Sequence, residues 1–248
     1  KSDIFKYIGE SGRAIVNGDD DKLRTLRGKL KNVLTYGLNA DNDIRGENVK
    51  DMGLEGMRFD IVYGGGRITA TIPSPGIHMV MNSLCAAAVG LTLGIEPELI
   101  KQGIESYAPV EGRMQIIKTQ RLTLLDDSFN ANPTSMAAAI NIACRASGRT
   151  VLILGDMLEL GEKGAEYHRN MGKKAVECGA DIMIGKGPLM KNACEETERA
   201  GIETMHFDTS EDIMRALDNC LRDGDTVLVK ASHGTNLKDV AEYIKANF

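Results

Sequence analysis

From Arg121 onward the chain alternates short apolar runs with longer amphipathic ones. The runs Leu122–Leu125, Val151–Leu154, Asp181–Ile184, Glu203–Phe207 and Thr226–Val229 read as strands. Between them, helical runs begin near Ser135, Lys163, Pro188, Ser210 and Asn236. Strand then helix, repeated in this way, predicts a parallel sheet covered on both faces. With right-handed crossovers the sheet is Rossmann-like.

The first part of the chain follows another pattern. Asp20 to Lys31 reads as a charged helix and Val33–Tyr36 as a short strand. Asp60–Tyr63 and Arg67–Ile72 flank Gly64-Gly65-Gly66, which predicts a β-hairpin. A phosphate-cradling loop is the sharper reading of that triplet, but no helix follows it. Pro73-Ser74-Pro75-Gly76 then breaks the chain, and His78 to Leu93 reads as an alanine-rich helix stopped by Gly94. A second helix, Pro97–Tyr107, begins with proline in its first turn. Pro109 to Arg113 is a connector, so the expected domains are 1–112, mixed α/β, and 113–248, the α/β parallel-sheet domain.

Composition changes the picture mainly by exclusion. The 30 basic and 35 acidic residues give a formal net charge of −5, and no long basic run is present. A nucleic-acid or membrane-surface partner therefore has no electrostatic support. The longest apolar stretch, Leu84 to Leu93, is interrupted by Gly90 and is too short to span a bilayer, so no membrane insertion is expected. The five cysteines, Cys85, Cys144, Cys178, Cys194 and Cys220, are odd in number and scattered. They suit free thiols in a reducing cytoplasm. Lys1 opens directly into a helix-like segment, which leads us to expect a chain that begins inside a longer protein.

In an open parallel sheet, ligands bind beyond the carboxyl ends of the strands. After Leu122–Leu125 comes DDSFNANP, Asp126 to Pro133, rich in carboxylates and amides. Such groups suit ribose hydroxyls, a base edge or a magnesium shell, although Asp127 and Asn130 also suit a turn before a helix. After Val151–Leu154 comes GDMLELG, in which Asp156 and Glu159 could orient a substrate amine or simply favour the following helix dipole. After Thr226–Val229 come Lys230, Ala231, Ser232 and His233; Lys230 is a candidate partner for a carboxylate or phosphate, or a solvated strand-end lysine. Gly185-Lys186-Gly187 fails the G-x-x-x-x-G-K-[ST] pattern, and no such loop occurs anywhere in the chain. The four histidines show no metal-ligand spacing with the cysteines.

Taken together, PGIHMVMN (Pro75 to Asn82), Gly112-Arg113, DDSFNANP and GDMLELG resemble the Mur ligases, over essentially the whole chain. The last two stretches are similar to those of the members that attach D-alanyl-D-alanine. The resemblance implies the later part of the central ATPase domain followed by the C-terminal Rossmann-like domain. It also implies ATP and Mg2+ as cofactors, UDP-MurNAc-tripeptide and D-Ala-D-Ala as partners, and a monomeric cytoplasmic enzyme of peptidoglycan synthesis. The reaction it implies is an ATP-driven amide ligation through an acyl phosphate, with the phosphate loop on an upstream portion.

Residue by residue, the resemblance places Asn82 toward adenine, Arg113 toward ribose or phosphate, and Asp127 on the ribose hydroxyls. Asn130 and Asn132 shape the base pocket, and His78 lies one helical turn from Asn82 in the same motif. His168, which follows GDMLELG, matches the family pattern, although a helix-surface histidine reads equally well. Lys1 sits where the family carries a carbamylated, magnesium-holding lysine; which residues hold metal here is otherwise unknown. Lys230 and Ser232 line the dipeptide site. Where the family often reads Lys-Gly-Ser-Arg, this chain has Lys230-Ala231-Ser232-His233, which leaves the arginine's role open. Two other readings stand beside this one. A non-catalytic nucleotide-binding module would want a glycine fingerprint that Asp126 to Pro133 lacks, and a folyl-polyglutamate-type ligase fits DDSFNANP and GDMLELG less well.

Overall fold

The computed structural model describes residues 2–9 and 11–248, and the chain divides into two compact units between Ala108 and Pro109. The division falls a little before the expected one at 112/113. Hydrogen bonds explain why the connector's end belongs to the second unit. Phe129 N–H donates to the Gly112 carbonyl at 2.9 Å, and Met114 N–H to Oδ1 of Asp127 at 3.0 Å.

The first unit is built on a five-stranded sheet ordered β1 (Ala14–Asn17), β2 (Val33–Gly37), β3 (Ile44–Asp51), β4 (Met57–Tyr63) and β5 (Gly66–Ile72). β1, β2 and β3 are parallel, whereas β3, β4 and β5 form an antiparallel meander. The expected hairpin is therefore present. On β4 the inward positions Met57, Phe59 and Ile61 are buried against helix α1 (Ile77–Thr92), through Val80, Leu84, Ala87 and Ala88. Ile100 and Ile104 of α2 (Pro97–Glu105) complete that core.

One local reading changes, and two strands are added. The charged segment 20–31 is not an α-helix: a 3-10 turn covers only Arg24–Gly28 and none of its residues is buried. Its leucines, Leu23, Leu26 and Leu30, become only half-buried, and Asp20 Oδ1 accepts N–H bonds from Lys22 and Leu23 at 2.9 Å each, which favours a local turn. β1 and β3 were not legible: the first is four residues long, and the second is half polar with a register shift between Glu47 and Lys50.

The second unit holds a six-stranded sheet in the order β10-β9-β8-β11-β7-β6. Its strands are β6 (Gln115–Lys118), β7 (Thr123–Asp127), β8 (Thr150–Gly155), β9 (Ile182–Lys186), β10 (Glu203–Phe207) and β11 (Thr226–Lys230). All pairings are parallel except that of the edge strand β6 with β7. The connecting helices are α3 (Pro133–Arg145), α4 (Gly164–Cys178), α5 (Lys191–Arg199), α6 (Ser210–Cys220) and α7 (Lys238–Asn247).

Leu124, Val151, Ile153, Ile182, Ile184, Val227 and Val229 alternate along their strands and form one core with Ile213 and Leu217 of α6 and Val240 and Ile244 of α7. The intervening Leu125, Leu152, Leu154, Met183 and Leu228 are equally buried, as a sheet covered on both faces requires. The α/β class and the Rossmann-like second domain are thus observed. β11 is last in the chain order of the strands but lies between β8 and β7, so the strand order switches at that point. This is where such sheets open a crevice at their carboxyl ends. Among the described residues no helix is long and apolar enough to cross a membrane.

Candidate functional site

At the switch point three loops meet: 128–132 after β7, 156–161 after β8 and 231–237 after β11. The centre is an ion pair. Lys230 Nζ lies 2.6 Å from Oδ2 of Asp127 and donates to the Asn130 carbonyl at 2.7 Å. Lys230 is only 2% exposed, so it is not the solvated strand-end lysine of one sequence reading. Its charge reaches the crevice through Asp127, whose other oxygen accepts from Met114 N–H. These two partners, one on each oxygen, fix the orientation of the Asp127 carboxylate.

The neighbouring Asp126 faces the other side of the sheet. Its side chain accepts from Ser128 Oγ at 2.6 Å and pairs with Lys245 of α7 at 2.9 Å. Burial lowers the Lys245 pKa, but the bonds to Glu242 and Asp126 outweigh that and hold it above the ordinary lysine value. The two adjacent aspartates are therefore locked by two lysines on opposite faces of the sheet.

Beyond this pair lies a solvent-facing ledge. The Arg113 guanidinium carbon sits 4.1 Å from the centroid of the Phe129 ring, and the His233 ring centroid is 5.6 Å from the same ring. Arg113, Phe129, Asn130 and His233 are all exposed. Phe129 was not singled out by sequence reasoning, and His233 was noted only as standing where the family often has arginine. The available signal was an exposed aromatic inside a polar loop that follows a strand.

The second loop is held rigidly. His168 is fully buried; its Nε2 accepts Met157 N–H at 2.9 Å and its Nδ1 faces the Gly164 carbonyl at 2.7 Å. Those two partners assign the Nδ1–H tautomer, with Nε2 as acceptor. His168 is thus not a helix-surface residue, and both its nitrogens are engaged within the fold. Asp156, 5% exposed, accepts Met190 N–H at 2.8 Å and Leu189 N–H at 3.2 Å just ahead of α5. Gly187 is needed for this contact: its φ is +101°, and a Cβ there would come within 2.6 Å of the Asp156 carboxyl carbon. Glu159, by contrast, is exposed with φ +62° at the tip of the loop.

The third loop is tied to the second. Ser232 Oγ accepts Leu158 N–H at 3.0 Å, and Ser232 N–H donates to the Asp156 carbonyl at 3.1 Å. Asn132 lies outside the crevice's polar contacts as the N-cap of α3, where it forms a reciprocal capping box with Ser135. The structure thus brings Arg113, Asp127, Asn130, Lys230 and Ser232 to one end of one sheet, with Asp156 and His168 beneath the adjoining loops.

In the first unit, His78 and Asn82 are exposed one turn apart on the same face of α1. Asn82 Nδ2 makes a 3.8 Å contact with Met79 Sδ. Lys1 lies outside the described residues. Among the described residues no group of three or more His, Cys, Asp or Glu side chains is placed to hold a metal ion.

Comparison with known proteins agrees with this layout. Residues 1–90 match the model of the Mur ligase middle domain, and residues 112–233 that of the Mur ligase glutamate ligase domain. A UDP-N-acetylmuramoyl-tripeptide--D-alanyl-D-alanine ligase of Bacillus subtilis is 31% identical over 98% of this chain and 53% of its own length. Its Escherichia coli counterpart is 29% identical over 100% of this chain and 55% of its own length. A crystal structure of MurF from Acinetobacter baumannii superimposes with a TM-score of 0.88 at 25% identity, over 100% of this chain and 55% of that one. The chain spans about half the length of the curated relatives it matches.

Proposed function

The chain belongs to the Mur ligase family, and from that premise we propose that it is the middle-to-C-terminal part of an enzyme that joins D-Ala-D-Ala to UDP-MurNAc-tripeptide at the expense of ATP. The observation that carries this reading is the meeting of DDSFNANP, GDMLELG and the loop after Lys230 at one switch point of one parallel sheet. The relatives named above carry that activity in their names. A cytoplasmic monomer belongs to the same proposal, in keeping with five free cysteines.

The chemistry is an exchange of bonds at one carbonyl carbon. The peptide carboxylate attacks the γ-phosphorus of ATP, releasing ADP and giving an acyl phosphate. The dipeptide amine then attacks the acyl carbon, phosphate leaves, and the amine loses a proton. The exposed Arg113 guanidinium suits an anionic phosphate, since it presents a planar fork of donors. Asp127 suits ribose hydroxyls, its carboxylate being held in one orientation by Lys230 and Met114 N–H. Asn130, exposed beside it, suits a base edge, whereas Asn132 contributes by starting α3. Asn82 and His78, the first unit's candidates for nucleotide contact, share one exposed face of α1.

Ser232 and Glu159 line the dipeptide end, with Glu159 placed to attract an ammonium. Asp156 and His168 shape the loop that carries Glu159 and do not touch substrate in this reading. Magnesium would offset phosphate charge, but the described residues contain no cluster that fits it, so no step is routed through the metal.

The test is phosphate release from ATP and UDP-MurNAc-tripeptide with and without D-Ala-D-Ala, in the longer protein that contains this sequence. Dipeptide-dependent release is expected. ATP binding with no release would favour the nucleotide-binding module instead, and release driven by glutamate would favour a folyl-polyglutamate-type ligase. This chain contains no G-x-x-x-x-G-K-[ST] loop, so turnover is expected only from a protein that also carries one.

A further inference from the structure

The loop after β11 has an unusual support. Lys186, the last residue of β9, donates from Nζ to Ser210 Oγ at 2.7 Å and to the Thr235 carbonyl at 2.5 Å. Ser210 Oγ in turn donates to the Asn236 carbonyl at 3.0 Å. One ammonium and one hydroxyl thus take up two successive carbonyls of the segment 233–236. That segment turns sharply, through a 3-10 turn at His233–Thr235 and a left-handed Asn236 with φ +55°.

Burial lowers the Lys186 pKa below the ordinary lysine value, against the opposing pull of Glu211 and Asp239. The ammonium has therefore given up water for neutral protein acceptors, an arrangement that is kept only if those acceptors are held in place. The same turn is fixed from the other side. Thr235 N–H and Oγ1 both donate to the Ser232 carbonyl, at 3.0 and 2.7 Å, and Ser232 is bonded to the loop after β8.

We infer that Lys186 is a positioning residue for the dipeptide end of the site: it holds the 232–236 turn so that Ser232 and His233 are presented at the crevice in one conformation. The inference rests on the ligase reading for the identity of the dipeptide, but not for the clamp itself. The clamp makes no use of nucleotide-facing groups, so its loss falls on one substrate. Neither Lys186 nor Ser210 needs to touch substrate.

Two measurements decide it. In this chain, Lys186→Met should speed amide exchange at Thr235 about tenfold, with the β11 amides of Val227 and Val229 unchanged, since a charge-assisted bond is lost locally. Exchange at Thr235 equal to the wild type would overturn the clamp whatever the enzyme does. In the longer protein, Lys186→Met should raise KM for D-Ala-D-Ala about tenfold with KM for ATP unchanged, and Lys186→Arg should restore most of it. An equal rise for both substrates, or no recovery with arginine, would reduce Lys186 to a general stabilising role. If the wild type itself shows no dipeptide-dependent turnover, the ligase reading fails while the exchange result still judges the clamp.

Discussion

Lys230 and Asp127 are register partners across the parallel strands β11 and β7, and their side chains close a 2.6 Å ion pair on the same face of the sheet. The ladder thus places a cation directly beside the carboxylate that faces the nucleotide in the proposed function. Lys230 is all but inaccessible, so its task is to fix Asp127 and the Asn130 carbonyl.

Breaking this pair from either side should have unequal consequences. Asp127→Ala strands a buried ammonium and is expected to destabilise the second unit by about 3 kcal/mol or more. Asp127→Leu combined with Lys230→Met should recover most of that loss, because no charge is left buried. Urea unfolding followed by far-UV circular dichroism gives both numbers. A single variant as stable as the wild type would mean that Lys230 finds another acceptor.

His168 offers a second test, since its role is assigned to the fold and not to substrate. His168→Ala removes the acceptor of Met157 N–H, removes a donor to Gly164, and leaves a cavity. A loss of about 2–4 kcal/mol is expected. In the longer protein, under the proposed function, the remaining folded fraction should keep its KM for D-Ala-D-Ala. A large rise in KM without loss of stability would instead put His168 in contact with substrate.

Much of this architecture is readable in the chain, and the exceptions have physical causes. β8, β9 and β11 stand out because they are buried on both faces and so apolar at nearly every position. β6 does not, because Gln115–Lys118 is a half-exposed edge strand. Asp126 and Asp127 were expected beyond the strand end but complete β7, since their pairing with Val229 and Lys230 extends the ladder. The motifs marked which loops matter. Which members face solvent was not legible: Glu159 and Asp156 are three positions apart in one motif, one exposed and one buried beneath a turn. Nor could the sequence show that Lys186 reaches across to residues near 210 and 235.

The outer face of the first sheet predicts an acid-sensitive contribution. Asp60 accepts from Thr69 at 2.6 Å, Asn48 at 2.7 Å and Arg67 at 2.6 Å. The Thr69 hydrogen bond first, then those of Asn48 and Arg67, hold its carboxyl below the ordinary value of 3.8. A carboxylate lowered in the folded state stabilises fully above its unfolded pKa, and that share is lost as pH falls through the folded value. The stability difference between the wild type and Asp60→Asn should therefore be constant above pH ~5 and shrink below it. A difference that stayed constant down to pH ~2 would show that the charge of Asp60 contributes nothing.

The cysteines give a prediction about reactivity. Cys194 is 3% exposed on α5, and burial first, then Glu198, pushes its thiol up to about 11. Cys144 on α3 is pushed up to about 12, by burial first and then by its neighbour Cys178. The thiolate is the nucleophile, so at pH 8 only on the order of a thousandth or less of either side chain is reactive. Iodoacetamide at pH 8, followed by peptide mass spectrometry, should leave both unmodified in the native protein and label both in urea. Rapid native labelling of Cys194 would require that α5 opens from β9 and β10 on the time scale of alkylation. The bonds of Asp156 to Leu189 and Met190, just ahead of α5, oppose such opening. Asp156→Ala should accordingly raise the rate of Cys194 labelling, and do so more than that of Cys144.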